Sequence, residues 1–141
     1  MAIKQVSVFV ANQKGKLSDV VKKISSEGIN IRALSIADTE EFGILRLIVS
    51  DADKAVAALS DIALVKKTDV IAVKMDDSEG ALYNVLAALE ESDIDVNYSY
   101  AFTSPENSEA YVVFRVDSVA DAEVALAVKG ISCVAEGDLK I

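Results

Sequence analysis

Hydrophobic and polar positions follow two periodicities along the chain, and the same order of segments occurs twice. Residues 3–10 (IKQVSVFV) are rich in β-branched side chains and contain no turn former, which predicts a strand. A loop containing Gly15 follows this strand. One face of a helix is then predicted by apolar residues at i, i+3, i+4 and i+7: Leu17, Val20, Val21 and Ile24.

The rest of the first half continues with short elements separated by turn signals. Gly28 is placed to end the first helix, because glycine adopts the left-handed conformation of a C-terminal cap without steric cost. Ser50 and Asp53 have the spacing of a capping box and predict the start of a second helix that runs to Leu59. The remaining predictions are strands at 29–37, 43–50 and 64–67 and a polar turn at 38–42.

An internal repeat is found by aligning Gly15 with Gly80, an offset of 65 that grows to 67 further along the chain. The two extra residues fall near the segment TSPENSE, which contains the only proline and predicts a loop. The second half then has the same order of elements: strands at 69–75, 94–102, 110–116 and 132–135, and helices around 82–89 and 119–128.

This order predicts an α+β fold of two ferredoxin-like βαββαβ domains in tandem, residues 1–67 and 68–141. Each domain has an antiparallel sheet with both helices on one face. The junction IALVKKTDVIAVKM contains no glycine or proline, so the last strand of one domain is expected to run almost directly into the first strand of the next.

Both faces of the predicted strands carry apolar side chains. Ile44 and Ile48 alternate with Leu45 and Leu47, and an aromatic group shares one face of a later strand: Tyr98, Tyr100 and Phe102. A solvated sheet face alternates with polar residues instead. The faces without helices are therefore expected to pack on each other within one chain or across a homodimer. The pattern supports both arrangements about equally, and a homodimer is the predicted assembly.

Composition excludes several classes of protein. The chain has 141 residues, of which 52% are hydrophobic and 26% charged, enough for a packed core. It has no histidine and a single cysteine, Cys133, which rules out histidine-based catalysis and a zinc site of thiolates and imidazoles. No membrane span or secretory signal is expected, so the predicted location is cytoplasmic, with no cofactor and no metal.

The net charge of −9 argues against a nucleic-acid partner, whose phosphates need cationic side chains. The charge is uneven. Residues 1–67 contain 10 basic and 8 acidic residues, whereas residues 68–141 contain 4 basic and 15 acidic residues.

The segment VANQKGKLSDVVKKISSEGINI at 10–31, with its echo KMDDSEGALYNVLAALEESDIDV at 74–96, resembles the ACT domain family of small-molecule regulatory modules. The whole chain is similar to two such domains in tandem with no catalytic domain. This resemblance implies a non-catalytic regulatory protein with a ligand, usually an amino acid, held where the first loop of one domain meets the sheet of a neighbouring domain.

The chemistry of these residues suits a zwitterion. Backbone N–H groups near Gly15 and Lys16, at a helix N-terminus, can hold a carboxylate. The side chains of Asn12 and Asp77 can accept from an ammonium group. By position in the two resembling segments, the candidate ligand-binding residues are Asn12, Gln13, Gly15, Lys16, Leu17, Asn30, Ile31, Asp77, Gly80 and Leu82, with Tyr98 and Tyr100 as a wall.

The same residues are also compatible with roles that involve no amino acid. The glycines suit a simple turn, and Asn12 and Asp77 suit helix capping. A small enzyme would use Asp76, Asp77 or Glu79 as a base beside Tyr98 or Tyr100. A third possibility is a structural or partner-binding dimer without a ligand.

Overall fold

The computed structural model describes residues 2–11, 13–38, 41–76, 78–104 and 109–139. These residues form six β-strands, four α-helices and a short 3-10 helix. In chain order they are β1 (Ile3–Ala11), α1 (Lys16–Ser26), β2 (Ile31–Asp38), β3 (Phe42–Val49), α2 (Ala52–Leu59), β4 (Leu64–Asp76), α3 (Ala81–Glu91), β5 (Val96–Ser104), β6 (Glu109–Val116), α4 (Val119–Val128) and the 3-10 helix Glu136–Asp138. The fold is therefore α+β with antiparallel strand pairing.

The chain divides into two compact units. The first unit is Lys4–Thr68, and the second is Asp69–Ile141 together with Met1–Ile3. Strand β4 contains the boundary, because the strands predicted at 64–67 and 69–75 form one continuous element. The absence of glycine and proline from this stretch lets the extended backbone continue without a turn.

In the first unit the strand order is β2-β3-β1, and both pairings are antiparallel. Val6 lies opposite Leu47 and Val8 opposite Leu45, so these four side chains share one face of the sheet. The two helices α1 and α2 cover that face with fully or almost fully buried residues: Val20, Ile24, Ala55 and Leu59.

The second unit repeats this packing. Strand β6 lies between β4 and β5, and the face of the sheet that includes Val73 and Phe114 packs on α3 and α4. The predicted repeat is confirmed in the core, because residues offset by 65 or 67 are buried in both units: Val20 with Val85, Ile24 with Leu89, Leu47 with Phe114, Ala55 with Ala122, and Leu59 with Leu126.

The predicted first-helix face is only half buried. Val20 and Ile24 are in the core, but Leu17 is 40% and Val21 37% exposed. The matching residues of α3 behave in the same way, since Leu82 and Leu86 are also exposed. In both helices the buried stripe is therefore narrower than the i, i+3, i+4, i+7 pattern.

The sheet face away from the helices is apolar in part, as predicted. The register places Tyr98 opposite Arg115, Tyr100 opposite Val113 and Phe102 opposite Tyr111, all on this face. Phe102 and Tyr111 stack with ring centroids 5.2 Å apart. In the first unit Ile48 is fully buried on the equivalent face.

The capping box predicted from Ser50 and Asp53 is wrong. The N-cap of α2 is Asp51, whose Oδ1 accepts from the Lys54 N–H at 3.0 Å. The Ser50 hydroxyl instead accepts from the Asn30 N–H at 3.0 Å and joins the start of β2 to the end of β3. Sequence spacing alone did not reveal this competing partner.

The strand predicted at 132–135 is also wrong. A single β-bridge forms there, between Cys133 and Val73, before the 3-10 helix at Glu136–Asp138. The predicted TSPENSE loop is shorter than expected, because β5 continues to Ser104 and β6 begins at Glu109; residues 105–108 lie outside the described part of the chain.

Replacing Asp51 by Ala should lower the free energy of unfolding by about 1 kcal/mol, since the Lys54 N–H loses its capping acceptor at the N-cap position. Urea denaturation measures the change. Asp61→Ala is a charge-matched control, because Asp61 follows the C-terminus of α2 and caps no helix start. Equal destabilisation by both variants would contradict the assignment of Asp51 as the cap.

Candidate functional site

The loops that lead into α1 and α3 have the same backbone conformation. Gly15 has φ 87° and ψ −11°, and Gly80 has φ 83° and ψ −8°, in the left-handed region that glycine adopts without strain. Their hydrogen bonds match at an offset of 65. Gln13 N–H donates to the Ala11 carbonyl at 2.8 Å, as Ser78 N–H does to the Asp76 carbonyl at 2.9 Å. Lys16 N–H donates to the Gln13 carbonyl, as Ala81 N–H does to the Ser78 carbonyl, both at 3.3 Å.

Both helices begin with glycine as the N-cap residue, so no N-cap side chain covers their first N–H groups. Asn12 and Asp77, the alternative helix-capping residues, precede these glycines by three positions. Both residues lie outside the described part of the chain. Of the N–H groups near Gly15 and Lys16 that the sequence predicts for a carboxylate, the Lys16 N–H donates to the Gln13 carbonyl. Leu17 and Ser18 remain as first-turn donors without an intrahelical acceptor.

The candidate residues of the first unit do not all lie together. Gln13, Gly15, Lys16 and Leu17 lie at the end of β1, where Ala11 pairs with Phe42. Ile31 pairs with Val49, at the other end of β3. Seven residues of strand separate these two positions, roughly 23 Å at 3.3 Å per residue. Within the first unit, Asn30 and Ile31 therefore do not reach the Gly15 loop.

The candidates of the second unit are likewise split. Gly80 and Leu82 lie at the loop and the first turn of α3. Tyr100 and Tyr98 lie on β5 four and six residues before Ser104, which marks the loop end of the sheet, so they are roughly 13 and 20 Å along the strand. Asp76 and Glu79 are exposed near the loop, so neither of these carboxylates forms a base beside either tyrosine within this unit.

A cavity of about 530 Å³ lies beside α1 in the first unit, and we refer to it as the first cavity. The end of β1 and Ile62 supply most of its apolar wall, and α1 supplies its charged side chains. Its lining residues are Phe9, Val10, Ala11, Lys16, Asp19, Val20, Lys22, Lys23, Ser26 and Ile62. Of the predicted site residues that the structure describes, Lys16 alone lines it.

The second cavity lies in the equivalent place of the second unit and has a volume of about 920 Å³. Met75, Ala81, Asn84 and Val85 line it at the positions that Val10, Lys16, Asp19 and Val20 occupy in the first cavity, an offset of 65. It also contains an ion pair, because Lys74 Nζ lies 2.9 Å from Glu109 Oε1. The hydrogen bond to Glu109 and its negative charge raise the pKa of Lys74.

The two cavities were not predicted from the sequence, although a signal was present. Lys16, Asp19, Val20 and Lys23 have the i, i+3, i+4, i+7 spacing of one helix side, adjacent to the apolar stripe. The apolar wall from β1 and Ile62 could not be inferred, because it depends on where the turn after α2 returns to the sheet.

In the ranges that the structure describes, no helix is both long and apolar enough to cross a bilayer. No cluster of three or more cysteine, aspartate or glutamate side chains in the same ranges is positioned to hold a metal ion.

Comparison with known proteins gives a family and several related folds. A family model described as an ACT domain pair matches residues 1–141. A Bacteroides thetaiotaomicron protein of known crystal structure is 38% identical, with a TM-score of 0.92 over 99% of this chain and 96% of that one. The ligand-free regulatory subunit of Thermus thermophilus aspartate kinase is 14% identical, with a TM-score of 0.66 over 89% and 90% of the two chains. A search of curated proteins gave no match.

The half-buried Cys133 lines the second cavity, and burial raises the pKa of its thiol. Less thiolate is then present at pH 8 than in an exposed cysteine, and thiolate is the reactive form. Alkylation of Cys133 by iodoacetamide, monitored by mass spectrometry, should be slower in the native protein than in urea at pH 8. The difference between the two rates should narrow as the pH rises above about 9. Equal rates at pH 8 would contradict this environment for the thiol.

Proposed function

Because the chain belongs to the ACT domain pair family, we propose that it is a non-catalytic regulatory protein that binds an amino acid. In this proposal, residues 1–67 and 68–141 are two ferredoxin-like domains, and the protein is cytoplasmic. The regulatory role of the aspartate kinase subunit that shares this fold is consistent with the assignment.

The observation that carries the proposal is the matched pair of glycine loops. Each loop ends a strand with a left-handed glycine and opens a helix whose first turn has N–H groups without intrahelical acceptors. Such a helix start favours an anionic group through its N–H donors and its dipole. An amino-acid carboxylate fits this position, and the Asn12 or Asp77 side chain supplies an acceptor for its ammonium group.

We place the ligand between one loop and the second strand of a neighbouring domain. In the first domain the loop residues are Asn12, Gln13, Gly15, Lys16 and Leu17. In this proposal the second strand of the neighbouring domain contributes Asn30 and Ile31, or Tyr98 and Tyr100. The Gly15 loop cannot reach Asn30 and Ile31 within its own unit. The first loop is favoured because its half of the chain has fewer acidic residues, so a carboxylate meets less repulsion there.

A thermal-shift screen against the common amino acids tests the function. A ligand at about 100 times its dissociation constant adds about 2.7 kcal/mol to the stability, enough to raise the melting temperature by several degrees. Gly15→Ala should then weaken binding of the identified amino acid about tenfold or more, because alanine disfavours φ 87° and re-aims the loop N–H groups. No shift with any amino acid would refute the proposal.

Gly28→Ala is the matched control for this variant. Gly28 also has a positive φ (71°), and an added Cβ would meet open space there, so alanine imposes a similar strain at the opposite end of α1. It should lower stability without changing the affinity. Asn12→Ala and Asp77→Ala, compared by calorimetry, identify the loop in use: loss of affinity only in Asp77→Ala would move the site to the second domain.

We further propose that the protein is a homodimer. Strand β2 is the outermost strand of the first unit, and Leu34 and Ile36 on it are 52% and 51% exposed. An exposed edge strand with large apolar side chains is a pairing surface. A second copy that covers it would bury an interface of about 1,200 Å² or more.

Sedimentation at micromolar concentration should therefore give a mass near twice 15.0 kDa. Ile36→Lys should shift the population to monomer, because an ammonium group would be buried without a partner in the interface. Val128→Lys, an equivalent change at an exposed position on α4, should leave the dimer intact. A monomeric wild-type protein would rule out this assembly.

A further inference from the structure

The first cavity combines an apolar wall with a cationic rim. Its apolar lining includes Val10, the buried Val20 and Ile62. Lys16, Lys22 and Lys23 project from one side of α1, and among the described lining side chains Asp19 is the one carboxylate. A volume of about 530 Å³ lies within the range of roughly 300–1,000 Å³ that is typical of small-molecule sites.

The second unit shows that the fold does not require these cations. At the matching positions of α3, the three lysines are replaced by Ala81, Ala87 and Ala88, and Asp19 by Asn84. Lys74, which lines the second cavity from β4, is paired with Glu109. Two cavities at equivalent positions of the repeat therefore differ in charge, and the cluster of three lysines belongs to the first.

We propose that the first cavity binds a small apolar carboxylate: a monoanion with a branched or aromatic hydrocarbon body. Its carboxylate lies against the ammonium groups of Lys16 and Lys23, and its hydrocarbon body lies against Val10, Val20 and Ile62. This site is additional to the amino-acid site at the glycine loops and does not depend on it, although the two sites share Lys16.

The charge balance favours a monoanion. Three ammonium groups and one carboxylate give a net charge of +2 at the cavity, and Glu27 offsets part of it because its Oε1 lies 3.5 Å from Lys23 Nζ. Lys23 has 40% of its side chain exposed, so it can turn toward a ligand without leaving solvent. Lysine ammonium groups bind carboxylates as adaptable point charges, without the fixed geometry of arginine.

Isothermal titration calorimetry of the full chain with 4-methylpentanoate tests the proposal, with 4-methylpentan-1-ol as the uncharged comparator. The carboxylate should bind with saturation, and the alcohol should bind at least about tenfold more weakly. Lys23→Ala should weaken binding of the carboxylate about tenfold, as expected for the loss of one charged hydrogen bond. Ile62→Ser should also weaken it, through loss of the apolar wall.

Glu27→Ala is the matched control, because it removes the same ion pair as Lys23→Ala but keeps the cation. It should bind 4-methylpentanoate at least as tightly as the wild type. The proposal is overturned if the carboxylate gives no saturable heat at millimolar concentration, if the alcohol binds equally well, or if Lys23→Ala matches the wild type.

Discussion

The structure depends on one packing constraint in each unit: two helices must bury a single face of an antiparallel sheet. Strand residues reach that face every second position and helix residues every three or four, so the core positions are fixed by periodicity. Burial of each large apolar side chain contributes roughly 2 kcal/mol. The same positions are buried in both units, with Phe114 in one where Leu47 stands in the other, which shows that volume varies more readily than placement.

This packing also determines how each first helix begins. The chain leaves the helix-covered sheet at the end of β1 or β4 and must reverse onto the same face within a few residues. A left-handed glycine at position 15 or 80 makes that turn, and as the N-cap residue it provides no side chain for the first N–H groups. The geometry that closes the core therefore leaves, at the surface of each unit, a helix start whose first-turn N–H groups have no intrahelical acceptor.

Sequence patterns predicted correctly the elements that depend on interactions between residues close in the sequence. The helix at 119–128 has the bounds inferred from the sequence, and Gly28 follows α1 as a left-handed residue. Patterns failed where a distant partner competes. Serine is a favoured N-cap residue, but the Ser50 hydroxyl accepts a hydrogen bond from the Asn30 N–H, twenty residues away. Residues 132–135 are apolar enough for a strand, yet Cys133 pairs with β4 through a single bridge.

In the candidate site, too, local features were predictable from the sequence and features that depend on distant residues were not. The glycine loops are local features, and their shared conformation follows from the repeat found in the sequence. The positions of Asn30 and Ile31, at the far end of β3 from the Gly15 loop, depend on strand register, which a linear motif does not encode. The sequence therefore located the two helix starts but could not identify which strand completes a site with either of them.

Charge differs between the repeats at exposed positions, where the core does not restrict it. Lys16 and Lys22 of α1 correspond to Ala81 and Ala87 of α3, and the second half of the chain is much more acidic than the first. Since neither difference alters the buried face, both units keep one fold while their cavities present different electrostatic environments. A repeated domain supplies two equivalent positions, and the carboxylate proposed for the first cavity depends on lysines that the second unit lacks.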